Sequence, residues 1–215
     1  MTLVPLPSGS SSVICAGDLS LELTELLLSS PMIAVDTETS GLDWADDALQ
    51  LCQVHSARTG SILIRPGSEV PQNLIRVLRD DRVTKVFHFA PFDLRFLYKT
   101  WGAVARNVRC TKTAHKLLYP QATRKEHSLS SLVERYLGVD MEKGAVRTSD
   151  WGAERLTEEQ VTYAARDVAY LIPLLAELEG ELRHAGISDL FSEVCRYLPT
   201  GVRLEVDRLP NPFDY

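Results

Sequence analysis

Three short acidic segments constrain this chain more than any other feature of its sequence. The first is Asp36-Thr37-Glu38 at the end of an apolar run, the second contains Asp93, and the third runs from Tyr163 to Asp167. If the four carboxylates met in one pocket as bare anions, each would raise the pKa of the others steeply. A fold that brings these segments together must therefore also hold cations.

The chemistry of the four carboxylates narrows the choice of cation. Hard oxygen ligands suit Mg²⁺ or Mn²⁺ better than softer metals. Two such ions about 4 Å apart form a common clamp for in-line displacement at phosphorus. The acidic segments therefore predict metal-dependent cleavage of a phosphodiester.

Local structure predicts how each segment presents its side chains. Asp36 and Glu38 share one face of a strand, because side-chain direction alternates along a strand. Tyr163 and Asp167 stand four apart on a predicted helix and share a face of it. Asp93 falls in the first turn of another helix, where the helix dipole favours a carboxylate. Three separate elements thus supply one site.

The remaining sequence predicts a mixed α/β sheet flanked by helices. Apolar runs bounded by turn residues predict strands at 32–36, 48–54, 61–64, 85–89 and 107–110. Helical spacing of apolar residues, with caps and breakers, predicts helices at 18–29, 71–78, 91–101, 111–118, 128–137, 157–184 and 188–198. The predicted organisation is a flexible lead-in at 1–17, one domain at 18–198, and a proline-containing tail at 199–215.

Composition places few demands beyond those of an ordinary globular protein. The chain has 215 residues, of which 45% are hydrophobic and 24% are charged. No run approaches the roughly 18 apolar residues of a membrane span, and residues 1–17 lack the pattern of a secretory signal. Four widely spaced cysteines without a C-x-x-C pair disfavour zinc ribbons and disulfides. We therefore expect a cytoplasmic protein without a membrane partner.

The charge distribution is more informative than the net charge of −6. Residues 82–147, which include Asp93, contain 13 basic and 5 acidic residues, whereas both flanking parts are acidic. A cationic segment beside a carboxylate–metal site is what a phosphate backbone requires. A solvated basic surface is the alternative. The distribution favours a nucleic-acid substrate and leaves RNA and DNA open.

The same segments resemble the DEDD superfamily of 3′→5′ exonucleases, in its tyrosine-containing (DEDDy) branch, and ribonuclease D in particular. The resemblance extends over about residues 31–184, through the acidic segments and the stretches 85–90, 128–139, 143, 149–151 and 163–168. Within that group the chain is similar to compact single-domain enzymes of the nanoRNase C type, through 87–90, 110–114, 149–154 and 198–200. The sister branch has a histidine where this chain has Thr162, which supports the tyrosine assignment.

The resemblance implies an RNase H-like fold with a five-stranded central sheet and a site with two divalent cations, Mg²⁺ or Mn²⁺. It implies that Asp36 contacts both ions, that Glu38 and Asp167 bind the ion that activates water, and that Asp93 supports the other ion. It also implies that Tyr163 orients the attacking water. These five residues are the predicted catalytic set.

Four further residues are candidates for substrate binding. Lys143 is a candidate for a phosphate contact, or else a solvated loop lysine. Lys112, on one helix face with Lys116, is a candidate for a phosphate track or an oligomer contact. Trp151 is either a packing residue or a stacking platform for a base. His88 ends a predicted strand, where a core or supporting role is favoured over metal ligation.

Several functions remain open at this stage. The resemblance favours release of nucleoside 5′-monophosphates from very short oligoribonucleotides, including dinucleotides. Trimming of longer RNA or DNA 3′ ends, as by ribonuclease D, is the alternative that the basic central third favours. An inactive nucleic-acid-binding module and a detached proofreading domain are the other possibilities. A homo-oligomer, with the tail contributing to its interface, is also open.

Overall fold

The computed structural model describes residues 12–141, 146 and 149–213. Within this part of the chain, one six-stranded mixed sheet runs in the order β1-β4-β3-β2-β5-β6. The strands are β1 (Val13–Ala16), β2 (Met32–Thr39), β3 (Leu49–Ser56), β4 (Gly60–Arg65), β5 (Thr84–Phe87) and β6 (Val108–Cys110). Strand β3 is antiparallel to both of its neighbours, and the other pairs are parallel. The predicted mixed α/β architecture is confirmed.

The register of β2, β3 and β4 separates the side chains of the sheet's centre into two faces. The aliphatic face carries Val35, Cys52, Val54, Ile62 and Ile64, all completely buried. The acidic face carries the alternate positions Asp36, Glu38, Leu51, Gln53, His55 and Leu63. The two acidic residues of β2 therefore share a face because they are two apart on a strand, as predicted.

Eight helices occur in the described residues. They are α1 (Leu21–Leu28), α2 (Gln72–Arg79), α3 (Ala90–Trp101), α4 (Thr111–Leu118), α5 (Leu129–Leu137), α6 (Glu158–Ala169), α7 (Leu171–His184) and α8 (Ser188–Val206). Most of their buried apolar side chains join one large core, and a smaller cluster of Leu51, Leu63, Trp151 and Ala164 lies apart from it. No helix in the described ranges is long and apolar enough to cross a membrane.

The structure adds a strand to the five that were predicted. Val13–Ala16, inside the predicted lead-in, pairs in parallel with β4 at the edge of the sheet. A four-residue edge strand carries little sequence signal, because both alternation and apolar content are short-ranged there. The predicted helix at 188–198 is also too short, since α8 continues through Pro199 to Val206.

The helix predicted at 157–184 is two helices. The break falls at Tyr170, between α6 and α7, and Pro173 lies in the first turn of α7. A proline fits the first turn of a helix because its missing amide has no partner there anyway. Pro173 was thus the signal for a second helix start rather than a tolerated interruption.

Asp18 begins the helix predicted at 18–29, but it does not cap α1. Ser20 caps α1 by accepting a hydrogen bond from the Leu23 amide at 3.2 Å. The Asp18 carboxylate instead accepts the amides of Asn73 and Leu74 at 2.9 and 3.0 Å, in the first turn of α2. The side chain satisfies a helix that lies far away in sequence, which local spacing does not reveal.

Candidate active site

Helix α6 packs across strands β2, β3 and β4 and carries the third acidic segment. Its start is fixed by a capping box, in which Thr157 Oγ1 accepts the Gln160 amide at 3.2 Å and Gln160 Oε1 accepts the Thr157 amide at 2.9 Å. Both hydrogen bonds of a capping box are therefore present. Because this box sets where α6 begins, it also sets where Tyr163 and Asp167 meet the acidic face.

Three carboxylates converge where α6 crosses β2. Asp36, Glu38 and Asp167 each offer an oxygen atom, and these atoms lie within 4.8 Å of one another. Burial, followed by the charges of Asp93, Glu38 and Asp167, raises the pKa of Asp36 well above its ordinary value. A cluster of hard oxygen donors that repel one another fits a divalent cation such as Mg²⁺ or Mn²⁺.

Asp93 completes the acidic set from helix α3. Its side chain is buried, and Thr37 Oγ1 donates a hydrogen bond of 2.7 Å to its Oδ1. Burial raises the pKa of Asp93 to about 7, although the hydrogen bond from Thr37 acts in the opposite direction. The Asp93 carboxyl also lies within hydrogen-bonding reach of the Asp36 side chain, so it contacts both Thr37 and Asp36 of β2.

Tyr163 lies beside the carboxylates on α6. Burial and the neighbouring charges of Asp167 and Glu38 raise the pKa of its phenol, so the hydroxyl stays protonated and is a donor. Its ring centroid is 6.0 Å from that of Trp151, with the planes at 44°. Thr162, the preceding residue, is exposed. The helix thus presents the tyrosine and not its neighbour to the cluster.

This arrangement of four carboxylates and a tyrosine accompanies a match to a known protein family. Residues 13–183 match the family model described as 3′-5′ exonuclease. The chain belongs to the 3′-5′ exonuclease family. It is a nuclease domain of the DEDD type, as the resemblance predicted.

Curated relatives of this exonuclease include two bacterial ribonucleases D. The enzyme of Sphingobium indicum is 30% identical over 192 residues, which are 88% of this chain and 45% of that protein. The enzyme of Escherichia coli K12 is 30% identical over 186 residues, which are 86% of this chain and 48% of that protein. The chain therefore spans about half the length of these relatives.

Two solved structures resemble this chain, and one of them is matched over its full length. Brucella melitensis NrnC superposes with a TM-score of 0.86 at 31% identity, over 96% of this chain and 100% of that chain. Escherichia coli RNase D superposes with a TM-score of 0.76 at 30% identity, over 85% of this chain and 48% of that chain. The RNase H-like exonuclease fold is confirmed, with six strands in place of five.

The loop before α6 supports the tyrosine. Trp151 is only 3% exposed and packs with Leu51, Leu63 and Ala164, so its position favours the packing alternative over a platform for a base. Gln160 Nε2 donates to Ser149 Oγ and Asp150 O at 2.9 and 3.0 Å. Two strong hydrogen bonds from Arg65, each 2.6 Å long, reach Ala153 O and Glu154 O. The loop is anchored to both β4 and α6.

The predicted substrate-binding residues lie in different surroundings. Lys112 is half-buried on α4, and its Nζ stands 4.4 Å from the ring centroid of Phe89. His88 Nδ1 is 2.9 Å from Thr111 Oγ1, and burial followed by Lys112 lowers its pKa to about 3, so the imidazole is neutral. His88 is not part of the carboxylate cluster. Lys143 falls outside the described residues.

Sequence reasoning missed three residues at this site. Phe89 is 39% exposed and adopts a left-handed backbone with φ of 69° directly before α3, a conformation that costs energy in a bulky residue. Thr37 holds Asp93, and Gln53 touches Glu38. The position of Thr37 between the two acidic residues was a usable signal. Phe89 lies within the stretch 85–90 that carries the resemblance, whereas nothing in the sequence marked Gln53.

Proposed function

We propose that this exonuclease removes nucleotides one at a time from the 3′ ends of very short oligoribonucleotides, dinucleotides included, and releases nucleoside 5′-monophosphates. The observation that carries the proposal is the convergence of Asp36, Glu38 and Asp167 within 4.8 Å, with Tyr163 beside them. A carboxylate cluster of this kind serves phosphodiester hydrolysis with two divalent cations, Mg²⁺ or Mn²⁺.

The carboxylates divide into two sets of metal ligands in this proposal. Asp36, Glu38 and Asp167 would hold one ion, and Asp36 and Asp93 would hold the other. When bound, such ions lower the pKa of a coordinated water and stabilise the charge that develops on the departing 3′-oxygen. Thr37 keeps the Asp93 carboxylate in place by its hydrogen bond of 2.7 Å.

Tyr163 acts on the attacking water rather than on the metal ligands. Its pKa is raised, so the phenol keeps its proton and donates a hydrogen bond instead of serving as a base. A donor of this kind orients the water in line with the scissile bond. Trp151, packed against the ring, keeps the phenol pointing at the cluster.

The surface next to Asp93 suits a single-stranded nucleic acid. The exposed ring of Phe89 offers a face to a base, and Lys112 offers a cation to a phosphate. Lys116 lies about one turn further along α4, and burial followed by the charge of Lys116 lowers the pKa of Lys112. This pairing of an aromatic ring with basic residues supports an RNA or DNA strand as the substrate.

The preference for short substrates is supported by the structural comparison. The chain covers the whole of Brucella melitensis NrnC, and one NrnC structure is bound to pGG, with a TM-score of 0.85 to this chain at 31% identity. The runner-up is trimming of longer RNA or DNA 3′ ends. That alternative is favoured by the basic excess of residues 82–147 and by the ribonuclease D relatives.

A time course with 5′-labelled substrates tests the proposal. A diribonucleotide, a 7-mer RNA, a longer RNA and a single-stranded DNA would each be followed with Mg²⁺ and with Mn²⁺, beside Asp36→Ala. We expect fast cleavage of the diribonucleotide and slow cleavage of the long substrates. Stepwise laddering of the long substrates with slow dinucleotide cleavage would support the runner-up instead. No cleavage of any substrate would overturn both.

We also propose that the chain self-associates through the region of α8. Large apolar side chains are exposed on α8 and after it, at Leu190, Tyr197, Leu209 and Phe213. The rings of Tyr197 and Phe213 have centroids 5.8 Å apart, and soluble monomers rarely expose large contiguous apolar patches. Size-exclusion chromatography with light scattering measures the mass directly, and a monomer of 24.0 kDa would contradict this expectation.

A further inference from the structure

Gln53 is a buried amide beside the carboxylate cluster. It lies on β3 directly opposite Asp36, and its exposure is 0%. Its neighbours across and along the strands include Leu51 and Leu63, two completely buried aliphatic residues. Such surroundings favour an apolar side chain at position 53, because burying a polar amide has a cost unless hydrogen bonds compensate it.

The two ends of the amide differ in what they contact. Gln53 Nε2 donates to Glu38 Oε1 at 3.4 Å. Gln53 Oε1 is buried and has no hydrogen-bond partner among the described residues. The orientation follows from chemistry, since only the nitrogen end can donate to a carboxylate. One end of the side chain therefore serves Glu38, while the other end remains uncompensated.

We propose that Gln53 is a positioning residue that holds the Glu38 carboxylate in the orientation in which it binds a divalent cation together with Asp36 and Asp167. The inference rests on the metal site of the proposed function and deepens it. Gln53 itself touches neither substrate nor metal in this role. It acts through Glu38, as hydrogen-bonding groups behind metal ligands generally do.

An amide suits this role better than the alternatives. A neutral donor orients Glu38 without adding charge to a cluster that already holds four carboxylates. A lysine or arginine at position 53 would compete with the cation for the carboxylate, and a glutamate would add to the repulsion. A leucine would remove the unpartnered oxygen but would also remove the hydrogen bond to Glu38. The energetic cost of burying Gln53 is thus explained by its role at the metal site and not by a role in the fold.

Two apolar variants distinguish a positioning role of Gln53 from a structural role. Gln53→Met keeps the length of the side chain and removes both polar ends, and Gln53→Leu is a second apolar variant. Mn²⁺ binding to each metal-free protein would be measured by titration calorimetry, and thermal unfolding would be followed in EDTA. We expect Mn²⁺ to bind about tenfold more weakly to both variants. We expect their unfolding temperatures without metal to equal or exceed that of the wild type.

His55→Leu is the matched control. His55 lies two residues further along β3 on the same face, and its Nδ1 contacts Ser61 Oγ at 3.0 Å, away from the carboxylates. This variant also replaces a polar side chain by leucine, but we expect its Mn²⁺ affinity to match the wild type.

Two results would overturn the inference. One is wild-type Mn²⁺ affinity in the Gln53→Met and Gln53→Leu variants. The other is a loss of affinity that accompanies an equal loss of stability in EDTA, since that pattern indicates a structural residue. Calorimetry needs no RNA, so the outcome is independent of the nuclease assay. Wild-type protein that binds Mn²⁺ but cleaves no RNA would overturn the proposed function alone, whereas wild-type protein that binds no Mn²⁺ would overturn this inference.

Discussion

The two faces of the central sheet bury opposite kinds of side chain. On the aliphatic face, Val35, Val54 and Ile62 are completely buried and join the large core. On the acidic face, the neighbouring positions Asp36 and Gln53 are a carboxylate of raised pKa and an amide with an unpartnered oxygen. The same strands thus bury aliphatic side chains favourably on one face and bury polar side chains at an energetic cost on the other.

The two faces contribute to the free energy of unfolding with opposite signs. Burying a large aliphatic side chain contributes about 1.5–3 kcal/mol. Burying an uncompensated polar group costs about 1–3 kcal/mol. Because side chains alternate along β2 and β3, a slip of one residue in register would exchange the two faces. The aliphatic face therefore fixes the register, and the fixed register places the carboxylates.

The largest effect that we expect is the loss of activity in Asp36→Ala. Asp36 belongs to both proposed sets of metal ligands, so cleavage of RNA should fall roughly a thousandfold or more. The same change removes a carboxylate from a repulsive cluster, so the metal-free protein should unfold at an equal or higher temperature. Single-turnover kinetics and thermal unfolding in EDTA measure the two effects. Activity within tenfold of the wild type would contradict the assignment of the site.

Ile62→Ala should have the opposite pattern. Ile62 is completely buried on the aliphatic face, and its truncation should cost about 2–5 kcal/mol of unfolding free energy. Activity per folded molecule should stay at the wild-type level, because the acidic face keeps its residues. Urea unfolding and a nuclease assay at low temperature measure the two quantities. A large loss of specific activity in the folded protein would show that the two faces are not independent.

Tyr163→Phe should have a smaller effect on catalysis than Asp36→Ala. The variant loses one hydrogen bond to the attacking water and keeps every carboxylate, so kcat should fall about 10- to 100-fold. The KM for RNA and the affinity for Mn²⁺ should not change. Thr162→Ala, at the exposed neighbouring position, is the control and should have wild-type kinetics. A wild-type kcat in Tyr163→Phe would leave the phenol without a role.

The parts of the molecule that local sequence determines were predicted well. The two-residue spacing of Asp36 and Glu38 and the four-residue spacing of Tyr163 and Asp167 place each pair on one face of its element, and the structure has both arrangements. Helix α4, Thr111–Leu118, has the predicted bounds. In these cases the residues that form the pattern and the residues that determine the structure lie in the same short stretch of chain.

The errors arise where a distant contact decides the structure. Asp18 caps α2 and not the helix that follows it, and Val13–Ala16 becomes a strand only because β4 offers an edge. Gln53 belongs to the same class, because a glutamine in a strand is ordinarily exposed. Only the register opposite Asp36 shows that this one is buried beside Glu38. A single sequence contains no record of that pairing.

The smallest expected effect is a pH dependence of stability that belongs to the acidic face alone. Burial raises the pKa of Asp93 to about 7, and it raises that of Asp36 as well. An unfolded aspartate titrates at about 3.9, so between about pH 4 and pH 7 these two carboxyls bind more protons in the folded, metal-free protein than in the unfolded chain. Their contribution to stability should therefore fall as the pH rises through this window.

The variant Asp93→Asn cannot ionise at that position and isolates the effect. In EDTA, the unfolding temperature of the wild type should fall by a few degrees relative to that of Asp93→Asn between pH 4.5 and pH 7.5. Saturating Mg²⁺ should reduce or reverse this change, because a cation replaces the protons in the cluster. Ile62→Ala should keep the wild-type pH dependence despite its lower stability. Equal slopes of unfolding temperature against pH in wild type and Asp93→Asn would mean that the buried carboxylates do not hold protons. Other interactions would then have to offset the energetic cost of burying them.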